Sequence, residues 1–426
     1  MSTSKSKRRK KSNSTAFNMA RSIKKFSAGK RGDKIRSDCF VEIELKMRGG
    51  VRLDLRSKVK AMYGDSIEAL VREICDFFEI AHAHISIEDS GALPFVIAAR
   101  LEAAVKELLP EINREFLLPM HKKAIVKTSK ERLRRSRLYV PGNEPKFFIN
   151  AGLHQPDGII LDLEDSVAPA DKDAARILVR NALRSVDFHD AERMVRINQG
   201  QKGIDDLAFV VPHDVQVILI PKCESVEQVG HVEDEVIRLR ELHQVQPAIY
   251  FLPIVESALG VINAYSIATA SENNCGLAIG LEDYTADLGV HRTEEGRESF
   301  FARCMVVNAA RAAGLPAFDT VFSDVDDMEG LRQSVVEAKA LGFEGKGCIH
   351  PRQINIIHDV FAPTRDEIDK AKRIVLAFDE AERRGSGVVA VEGKMIDAPV
   401  VKRAHRIIDL AMLNKQLDKS WRHETD

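Results

Sequence analysis

Charged side chains follow several apolar runs of the sequence, and their types suit binding of a metal ion and an anion. Four of them are the carboxylates of Glu164, Asp165, Glu256 and Asp283. Carboxylates that converge repel one another unless a cation lies among them, so their convergence implies a bound metal ion. Oxygen ligands without a Cys or His cluster favour a hard ion such as Mg²⁺. Arg196 adds a permanently protonated fork for a substrate carboxylate or a developing oxyanion such as an enolate.

Further polar residues end other apolar runs, and they have both structural and functional interpretations. Lys222 can contact a substrate carboxylate, but an ion pair with Glu224 or another neighbouring carboxylate explains it equally well. Pro141, Gly142 and Asn143 form a tight loop whose backbone N–H groups can receive phosphates. Each residue alone is consistent with an ordinary loop or ion pair. Together they predict one functional rim.

The elements that must position these residues are short apolar runs that alternate with segments of helical period. Eight buried strands alternating with helices predict a (β/α)₈ barrel, whose active site lies at the C-terminal ends of its strands. A doubly wound sheet is the alternative, although no Gly-rich phosphate motif follows the first run. The apolar runs span residues 138–140, 158–163, 194–198, 215–221, 248–254, 276–281, 317–322 and 345–350.

The remainder of the chain divides by composition into four further segments. The first, residues 1–36, is rich in Lys, Arg and Ser and is expected to be a disordered basic tail. Residues 37–112 have the pattern of a small α+β domain, and residues 113–132 that of a linker. The barrel then covers residues 133–365, and residues 366–426 are expected to form a helical lid or an oligomerisation segment.

Within the small domain, alternating apolar residues predict two strands around a turn at Gly49-Gly50. A helix capped by Asp65, a short strand and a second helix after Gly91 complete the pattern.

The overall composition argues against several classes of partner. With 63 basic and 64 acidic residues the formal charge is −1, which gives no general attraction to nucleic acid or membranes. The 6 cysteines include no CxxC pair, and no apolar run is long enough to span a bilayer. We therefore expect a cytoplasmic protein that binds neither nucleic acid nor membrane. The tail leaves two alternatives open, a transit peptide for organelle import or a nucleic-acid patch.

Seven sequence strings, in order along the chain, resemble the β subunit of citrate lyase and its relatives, the malyl-CoA and citramalyl-CoA lyases. The strings are RSRLYVPGN, GIILDLEDSVAPADKDAAR, VRIN, PIVESALGV, GLEDYTADLG, GKGCIHPRQI and EGKMIDAP. This resemblance implies that Glu256 and Asp283 bind Mg²⁺ and that Arg196 positions the substrate. It also implies that Asp397 is an acid/base group that usually reaches the site of a neighbouring subunit.

The same resemblance implies roles for further residues of these strings. Glu164 and Asp165 of the LDLED string are expected to support the metal site and the catalysis. Arg137, together with the loop at residues 141–143 and Lys222, is a candidate for binding the substrate or coenzyme A.

The small domain resembles a second family, the acyl carrier (γ) subunit of citrate lyase, in SDCFVEI, YGDSIEALVRE and ISIEDSGALPFVIAARLEAAV. That family attaches an arm derived from dephospho-CoA to a Ser two residues before an Asp. This register holds Arg36, and Ser37 lies one residue later. Either Ser37 carries a phosphoribosyl-dephospho-CoA arm in a shifted register, or the domain is an unmodified relic and the enzyme uses free CoA thioesters.

The two resemblances together imply a Mg²⁺-dependent retro-Claisen lyase. Its expected substrate is citryl-ACP or citryl-CoA, which would yield oxaloacetate and an acetyl thioester. Alternatives are a malyl-CoA or citramalyl-CoA lyase, a thioesterase on such esters, a sugar-acid aldolase, or an inactive carrier scaffold. A homo-oligomer, trimeric or hexameric, and a citrate lyase α (transferase) subunit are the expected protein partners.

Overall fold

The computed structural model describes residues 25–122, 127–385, 387–391 and 393–423. The first part of the chain forms a small α+β domain, as the sequence predicts. Its elements are β1 (Lys25–Gly29), β2 (Cys39–Leu45), β3 (Val51–Ser57), α1 (Lys60–Phe77), β4 (Ala83–Asp89) and α2 (Pro94–Leu108).

The sheet of this domain has the order β1-β2-β4-β3, which corrects two details of the sequence analysis. β2 and β3 do not form a hairpin around Gly49-Gly50, because β4 lies between them, antiparallel to β2 and parallel to β3. The crossover through α1 explains this order, since a helix between two strands brings them together in parallel. In addition, α1 begins at Lys60 after Val59, and no side chain caps it, so Asp65 lies inside the helix.

The basic segment before residue 37 is also partly ordered. Strand β1 pairs antiparallel with β2, from Lys25 opposite Glu44 to Gly29 opposite Phe40. The prediction of a disordered tail over residues 1–36 is therefore wrong for Lys25–Gly29, because these residues form an edge strand of the sheet. Residues 1–24, which include the basic cluster of the tail, lie outside the described part of the chain.

Eight parallel strands form a closed barrel, which confirms the predicted (β/α)₈ fold. Each strand coincides with one of the predicted apolar runs. The strands are β5 (Ser136–Pro141), β6 (Gly158–Asp162), β7 (Glu192–Arg196), β8 (Val217–Ile220), β9 (Tyr250–Val255), β10 (Leu277–Ile279), β11 (Ala317–Asp319) and β12 (Gly345–Cys348). The helices that follow them are α3 (Pro145–Ala151), α4 (Lys172–Ser185), α5 (Gly200–Val210), α6 (Val226–His243), α7 (Ala258–Ile262), α8 (Ala264–Ala268), α9 (Leu281–Leu288), α10 (Arg297–Ala312), α11 (Met328–Leu341) and α12 (Arg352–Phe361).

Two helices and a short hairpin follow the barrel: α13 (Arg365–Arg383), β13 (Val389–Val391), β14 (Lys394–Ile396) and α14 (Ala398–Leu413). Arg406 contacts Glu344 at 2.5 Å, and Arg135 donates to Asn414. Because Glu344 and Arg135 directly precede β12 and β5, these contacts lie at the N-terminal ends of the strands. Within one chain the segment therefore docks at the end of the barrel opposite the predicted active site. A role as a lid requires a second copy of the chain.

Helix α2 joins the small domain to the barrel, since it packs against both the small sheet and α4. Glu102 of α2 and Arg180 of α4 are both fully buried, with Arg180 Nη1 and Nη2 donating to the carboxylate at 2.9 and 2.6 Å. Phe116, in the segment expected to be a linker, donates its N–H to Glu102 at 3.2 Å. The small domain is therefore held to the barrel by a buried, hydrogen-bonded ion pair.

Glu102→Ala is expected to lower the free energy of unfolding by about 3 kcal/mol, because it leaves the Arg180 guanidinium buried without its main carboxylate. Urea unfolding of the full chain measures this loss. Glu107→Ala, an exposed position on the same helix, is the matched control and should change stability by less than about 0.5 kcal/mol. A loss below about 1 kcal/mol for Glu102→Ala would show that the ion pair does not stabilise the docked arrangement.

His213, between α5 and β8, gives the fold a dependence on pH. Burial and the neighbouring Arg184, Arg180 and His243 lower the pKa of His213 to about 3, and Arg184 contacts its Nδ1 at 3.0 Å. A lowered folded-state pKa means that stability is present above the unfolded value of 6.5 and is lost as pH falls towards 3. We expect His213 to lower the free energy of unfolding by about 2 kcal/mol between pH 7 and pH 5. His213→Asn keeps an acceptor for Arg184 and should remove this contribution. Urea unfolding at pH 7 and at pH 5 measures it, because the variant should lose about 2 kcal/mol less stability between the two pH values than wild type. An equal loss of stability in both proteins would contradict the assignment.

No helix in the described part of the chain is long and apolar enough to cross a membrane.

Candidate active site

A cavity of about 430 Å³ opens at the C-terminal ends of the barrel strands, where barrel enzymes place their active sites. It extends from the rim loops down to side chains of β5 and β9–β12 in the barrel interior. The cavity lining includes six residues predicted from the sequence: Arg137, Pro141, Asp165, Arg196, Glu256 and Asp283.

Arg196, the last residue of β7, is held by carboxylates of the neighbouring strand. Its Nε and Nη2 donate to the two oxygens of Asp162 at 2.7 and 2.8 Å, and its Nη1 lies 2.9 Å from Glu164 Oε2. The guanidinium also lies over the Tyr139 ring, 5.3 Å from its centroid. The fork that the sequence analysis assigned to a substrate is therefore largely occupied by Asp162, which fixes its orientation towards the cavity.

Asp162 is the functional residue that the sequence analysis missed. It is 1% exposed, and binding to Arg196 holds the pKa of its carboxyl below the usual value against the effect of burial. The alternation of side chains along a strand is the signal for Asp162, since Ile160 and Asp162 both point into the barrel. The sequence prediction names only the two acids that follow this strand.

Glu164 does not line the cavity itself but contacts Arg196 and Asp165, which do. Gln199 donates to its Oε1 at 2.7 Å, and the Asp165 N–H donates to Oε2 at 3.2 Å. Burial, followed by the neighbouring Asp165 side chain, raises the pKa of Glu164 to about 7 despite the opposing effect of Arg196. Its carboxyl group therefore changes charge near neutral pH.

Glu256 follows β9 and is almost fully buried. Its Oε2 accepts a hydrogen bond from the backbone N–H of Lys222 at 2.8 Å. A Cβ at Gly280 would lie 2.4 Å from Glu256 Oε1, so only glycine leaves room for the carboxylate there. Burial raises the pKa of Glu256 to about 7, although the Lys222 N–H and Arg196 act in the opposite direction.

Asp283 lies in the first turn of α9, directly after β10, and is partly exposed to the cavity. The Lys222 ammonium lies 2.9 Å from Asp283 Oδ1 and 4.0 Å from Glu164 Oε1. Lys222 has φ of 45°, a left-handed conformation that is costly for a residue with a side chain. This strained backbone aims its N–H at Glu256 and its ammonium at Asp283.

These residues suit a hard divalent cation. No three acidic, His or Cys side chains of the described chain form a metal-binding group, and the cavity lining offers the two carboxylates of Glu256 and Asp283. Mg²⁺ is usually held by one or two carboxylates, with water and substrate oxygens completing its coordination. Glu256 is buried, so a cation bound beside it would offset the cost of its charge, and the Lys222 ammonium beside Asp283 shows that a cation can occupy this part of the site.

Like Glu164 and Lys222, the predicted residues Gly142, Asn143 and Asp397 lie outside the cavity lining. Gly142 approaches β6, and its N–H donates to the Asp162 carbonyl at 2.8 Å. The Asn143 carbonyl accepts from Arg100 of the small domain at 3.1 Å. Asp397 caps α14 by accepting from the Val400 N–H at 3.3 Å, and it does not line the cavity of its own chain.

Ser37, the candidate attachment site, lies in a half-buried turn with φ of 56°. Its N–H donates to the Ser90 carbonyl at 3.0 Å. The adjacent Asp38 is bound by both Nε and Nη2 of Arg100, which also contacts the barrel through Asn143. The turn that holds Ser37 is thus fixed relative to the barrel.

Comparisons with known proteins identify both parts of the chain. The family described as HpcH/HpaI aldolase/citrate lyase matches residues 135–351, and one described as ACP, malonate decarboxylase delta subunit (MdcD), matches residues 31–108. The acyl-carrier-like character of the first domain is thereby confirmed, and its match begins six residues before the predicted boundary.

Individual relatives support the barrel assignment. The citrate lyase subunit beta of Leuconostoc mesenteroides subsp. cremoris is 42% identical over 295 residues, which cover 68% of this chain and 96% of that protein. The mitochondrial citramalyl-CoA lyase of Mus musculus is 31% identical over 347 residues, which cover 78% and 97%. The crystal structure of the protein CitE from Mycobacterium tuberculosis with magnesium, acetoacetate and coenzyme A matches with a TM-score of 0.55 and 31% identity, covering 67% of this chain and all of that one. The chain therefore belongs to the HpcH/HpaI aldolase/citrate lyase family.

Proposed function

We propose that this chain is a Mg²⁺-dependent carbon–carbon lyase that cleaves a 3-hydroxy-3-carboxy acyl thioester, with citryl-ACP or citryl-CoA as the preferred substrate. The products are oxaloacetate and an acetyl thioester. The observation that carries the proposal is the meeting of Glu256, Asp283 and Arg196 in one cavity at the rim of the barrel. The relative that is 42% identical is a citrate lyase subunit, which supports the choice of a citryl group.

Glu256 and Asp283 are the residues that hold Mg²⁺ in this proposal. The ion, when bound, polarises the substrate oxygens and lowers the pKa of the hydroxyl group. Glu256 is kept in place by the Lys222 N–H and by the space beside Gly280. Lys222 holds Asp283 beside the cavity until substrate and metal arrive.

Arg196 acts on the other product. Because Asp162 binds its Nε and Nη2, the guanidinium is fixed before substrate arrives and loses little entropy on binding. It stabilises the negative charge of the acetyl enolate as the carbon–carbon bond breaks. Glu164 and Asp165 keep Arg196 charged and oriented, and Glu164 can take up a proton near neutral pH.

The hydroxyl group must lose a proton and the enolate carbon must gain one, and Asp397 is the proposed acid/base group that takes up the first and supplies the second. Since Asp397 lies away from the cavity of its own chain, it has to come from a second copy. This supports a homo-oligomer, trimeric or hexameric, in which the C-terminal segment covers a neighbour's site. A citrate lyase α subunit with transferase activity is the proposed further partner. All 6 cysteines are free, which supports a cytoplasmic location.

A citramalyl-CoA or malyl-CoA lyase is the second candidate function, supported by the relative that is 31% identical. A thioesterase would need the same metal ligands. The purified chain should therefore be assayed with citryl-CoA, citramalyl-CoA and malyl-CoA, with Mg²⁺ or EDTA, for release of 2-oxo acid and of free thiol. Oxo-acid release that is fastest from citryl-CoA and abolished by EDTA is expected. Faster cleavage of citramalyl-CoA would favour the second candidate, and thiol release without oxo acid would favour the thioesterase.

The role of the acyl-carrier-like domain is a separate part of the proposal. An arm on Ser37 would deliver a covalently held acyl group, whereas an unmodified domain would leave free CoA thioesters as substrates. Intact-protein mass spectrometry of the natively purified chain, with Ser37→Ala as control, distinguishes the two. A mass excess matching phosphoribosyl-dephospho-CoA that Ser37→Ala removes would establish the arm, and an unmodified mass from a host able to attach it would exclude it.

A further inference from the structure

Arg137 of β5 is a buried cation in the floor of the cavity. It is 1% exposed and shares the cavity lining with Tyr139 and Pro141, the alternate residues of the same strand. Its Nη2 donates to the Asp319 carbonyl at 3.1 Å, and its guanidinium lies 4.6 Å from the centre of the Phe318 ring. These two contacts are partial compensation for a charge that has been removed from water.

No carboxylate of the described chain lies within ion-pair distance of this guanidinium. The nearest acid, Asp319, directs its carboxylate to Lys346 at 2.7 Å and to Arg303 at 3.2 Å, and gives Arg137 only its backbone carbonyl. The Nε of Arg137 is buried and has no hydrogen-bond partner among the residues that the structure describes. Buried charges are normally paired, because an unpaired one retains most of its desolvation cost.

The other buried arginines of the barrel differ from Arg137 in this respect. Arg134 is bound by Glu192, and Arg180 is bound by Glu102. Arg196, which lines the same cavity, is bound by Asp162. Arg137 is thus a buried arginine that lines the cavity and pairs with no carboxylate in the described ranges, which is the arrangement expected where a ligand supplies the anion.

We infer that Arg137 binds a second carboxylate of the substrate, the one at the far end of its oxo-acid half, and so selects a dicarboxylic 2-oxo acid over a monocarboxylic one. This inference rests on the proposed function, in which Glu256 and Asp283 would hold the metal ion that polarises the hydroxyl oxygen, the atom that becomes the 2-oxo oxygen of that half. A four-carbon dicarboxylic oxo acid carries a further carboxylate for Arg137. Pyruvate carries a methyl group instead and leaves the buried charge of Arg137 unpaired. A polar site rejects a ligand that leaves its buried groups unpaired, so pyruvate should bind more weakly.

The test is calorimetric titration of Mg²⁺-loaded full-length protein with oxaloacetate and with pyruvate, for wild type, Arg137→Met and Arg137→Lys. In wild type, oxaloacetate should bind at least about 10-fold more tightly than pyruvate. Arg137→Met should weaken the binding of oxaloacetate roughly 10- to 100-fold and change the affinity for pyruvate by less than about twofold. Arg137→Lys, which keeps a charge, should recover part of the loss.

Thermal unfolding without ligand separates binding from a structural role. Replacing an unpaired buried charge with an apolar side chain should raise the melting temperature of Arg137→Met, whereas a structural arginine would lower it. Three results for Arg137→Met would overturn the inference and leave the proposed function intact. They are equally weakened binding of both oxo acids, unchanged binding of oxaloacetate, and a lowered melting temperature. If wild type binds neither oxo acid in the presence of Mg²⁺, both the inference and the proposed function fail.

Discussion

Glu256→Gln is expected to abolish measurable Mg²⁺ binding and to slow thioester cleavage by roughly 10³-fold, the loss for several kcal/mol of transition-state stabilisation. The substitution removes one negative charge and preserves shape. The side-chain oxygen of Gln can still accept from the Lys222 N–H, and its amide nitrogen then takes the space beside Gly280. The loss can therefore be assigned to charge and not to packing. Asp283→Asn should act in the same direction.

Calorimetric titration with Mg²⁺ and a cleavage assay measure the two effects of Glu256→Gln. The matched control is Glu241→Gln on α6, an exposed carboxylate remote from the cavity, which should leave both quantities unchanged. Because burial raises the pKa of Glu256 to about 7, the variant should also fold at least as well as wild type without metal. Mg²⁺ affinity within about threefold of wild type would remove Glu256 from the metal site, since a lost carboxylate ligand costs far more.

Arg196→Lys is expected to lower kcat/KM roughly 10²- to 10³-fold, the usual loss when one donor to a developing oxyanion is removed. Lysine keeps the positive charge but cannot bind both oxygens of Asp162 and still present a donor to the cavity. Arg196→Met should have a larger effect, because Asp162 and Glu164 would then lie close together without their cation.

Mg²⁺ affinity separates the role of Arg196 from that of the metal ligands. Since Arg196 is not a proposed ligand and repels a nearby cation, Arg196→Lys should bind Mg²⁺ as well as wild type while cleavage is slow. Arg72→Met, at an exposed ion pair on α1, serves as the control for loss of an arginine. Parallel loss of Mg²⁺ binding and cleavage in Arg196→Lys would indicate a structural role instead.

The barrel could be predicted from sequence because each strand is a short, continuous apolar run, as strands buried on both faces must be. The arrangement of the small domain could not, because β2 and β3 have the pattern of a hairpin and only the crossover through α1 places β4 between them. Strand β1 was assigned to the tail because its sequence is basic, whereas its order comes from pairing with β2.

The lining of the candidate cavity could also be predicted only in part. Residues that follow a strand, such as Glu256 and Asp283, were recognised because their position after an apolar run marks the rim. Asp162 was missed because it belongs to the run itself, and its importance comes from a partner on the next strand. The position of Asp397 depends on how copies of the chain assemble, which one sequence does not specify.

The most direct test of the central claim is mass spectrometry of the products formed from citryl-CoA in D₂O by the Mg²⁺-loaded enzyme. Carbon–carbon cleavage through an enolate predicts oxaloacetate together with acetyl-CoA that carries one deuterium in its methyl group, and neither product in EDTA. Citrate and free coenzyme A, formed without oxaloacetate, would show that the thioester is hydrolysed and would contradict the assignment of the chain as a lyase.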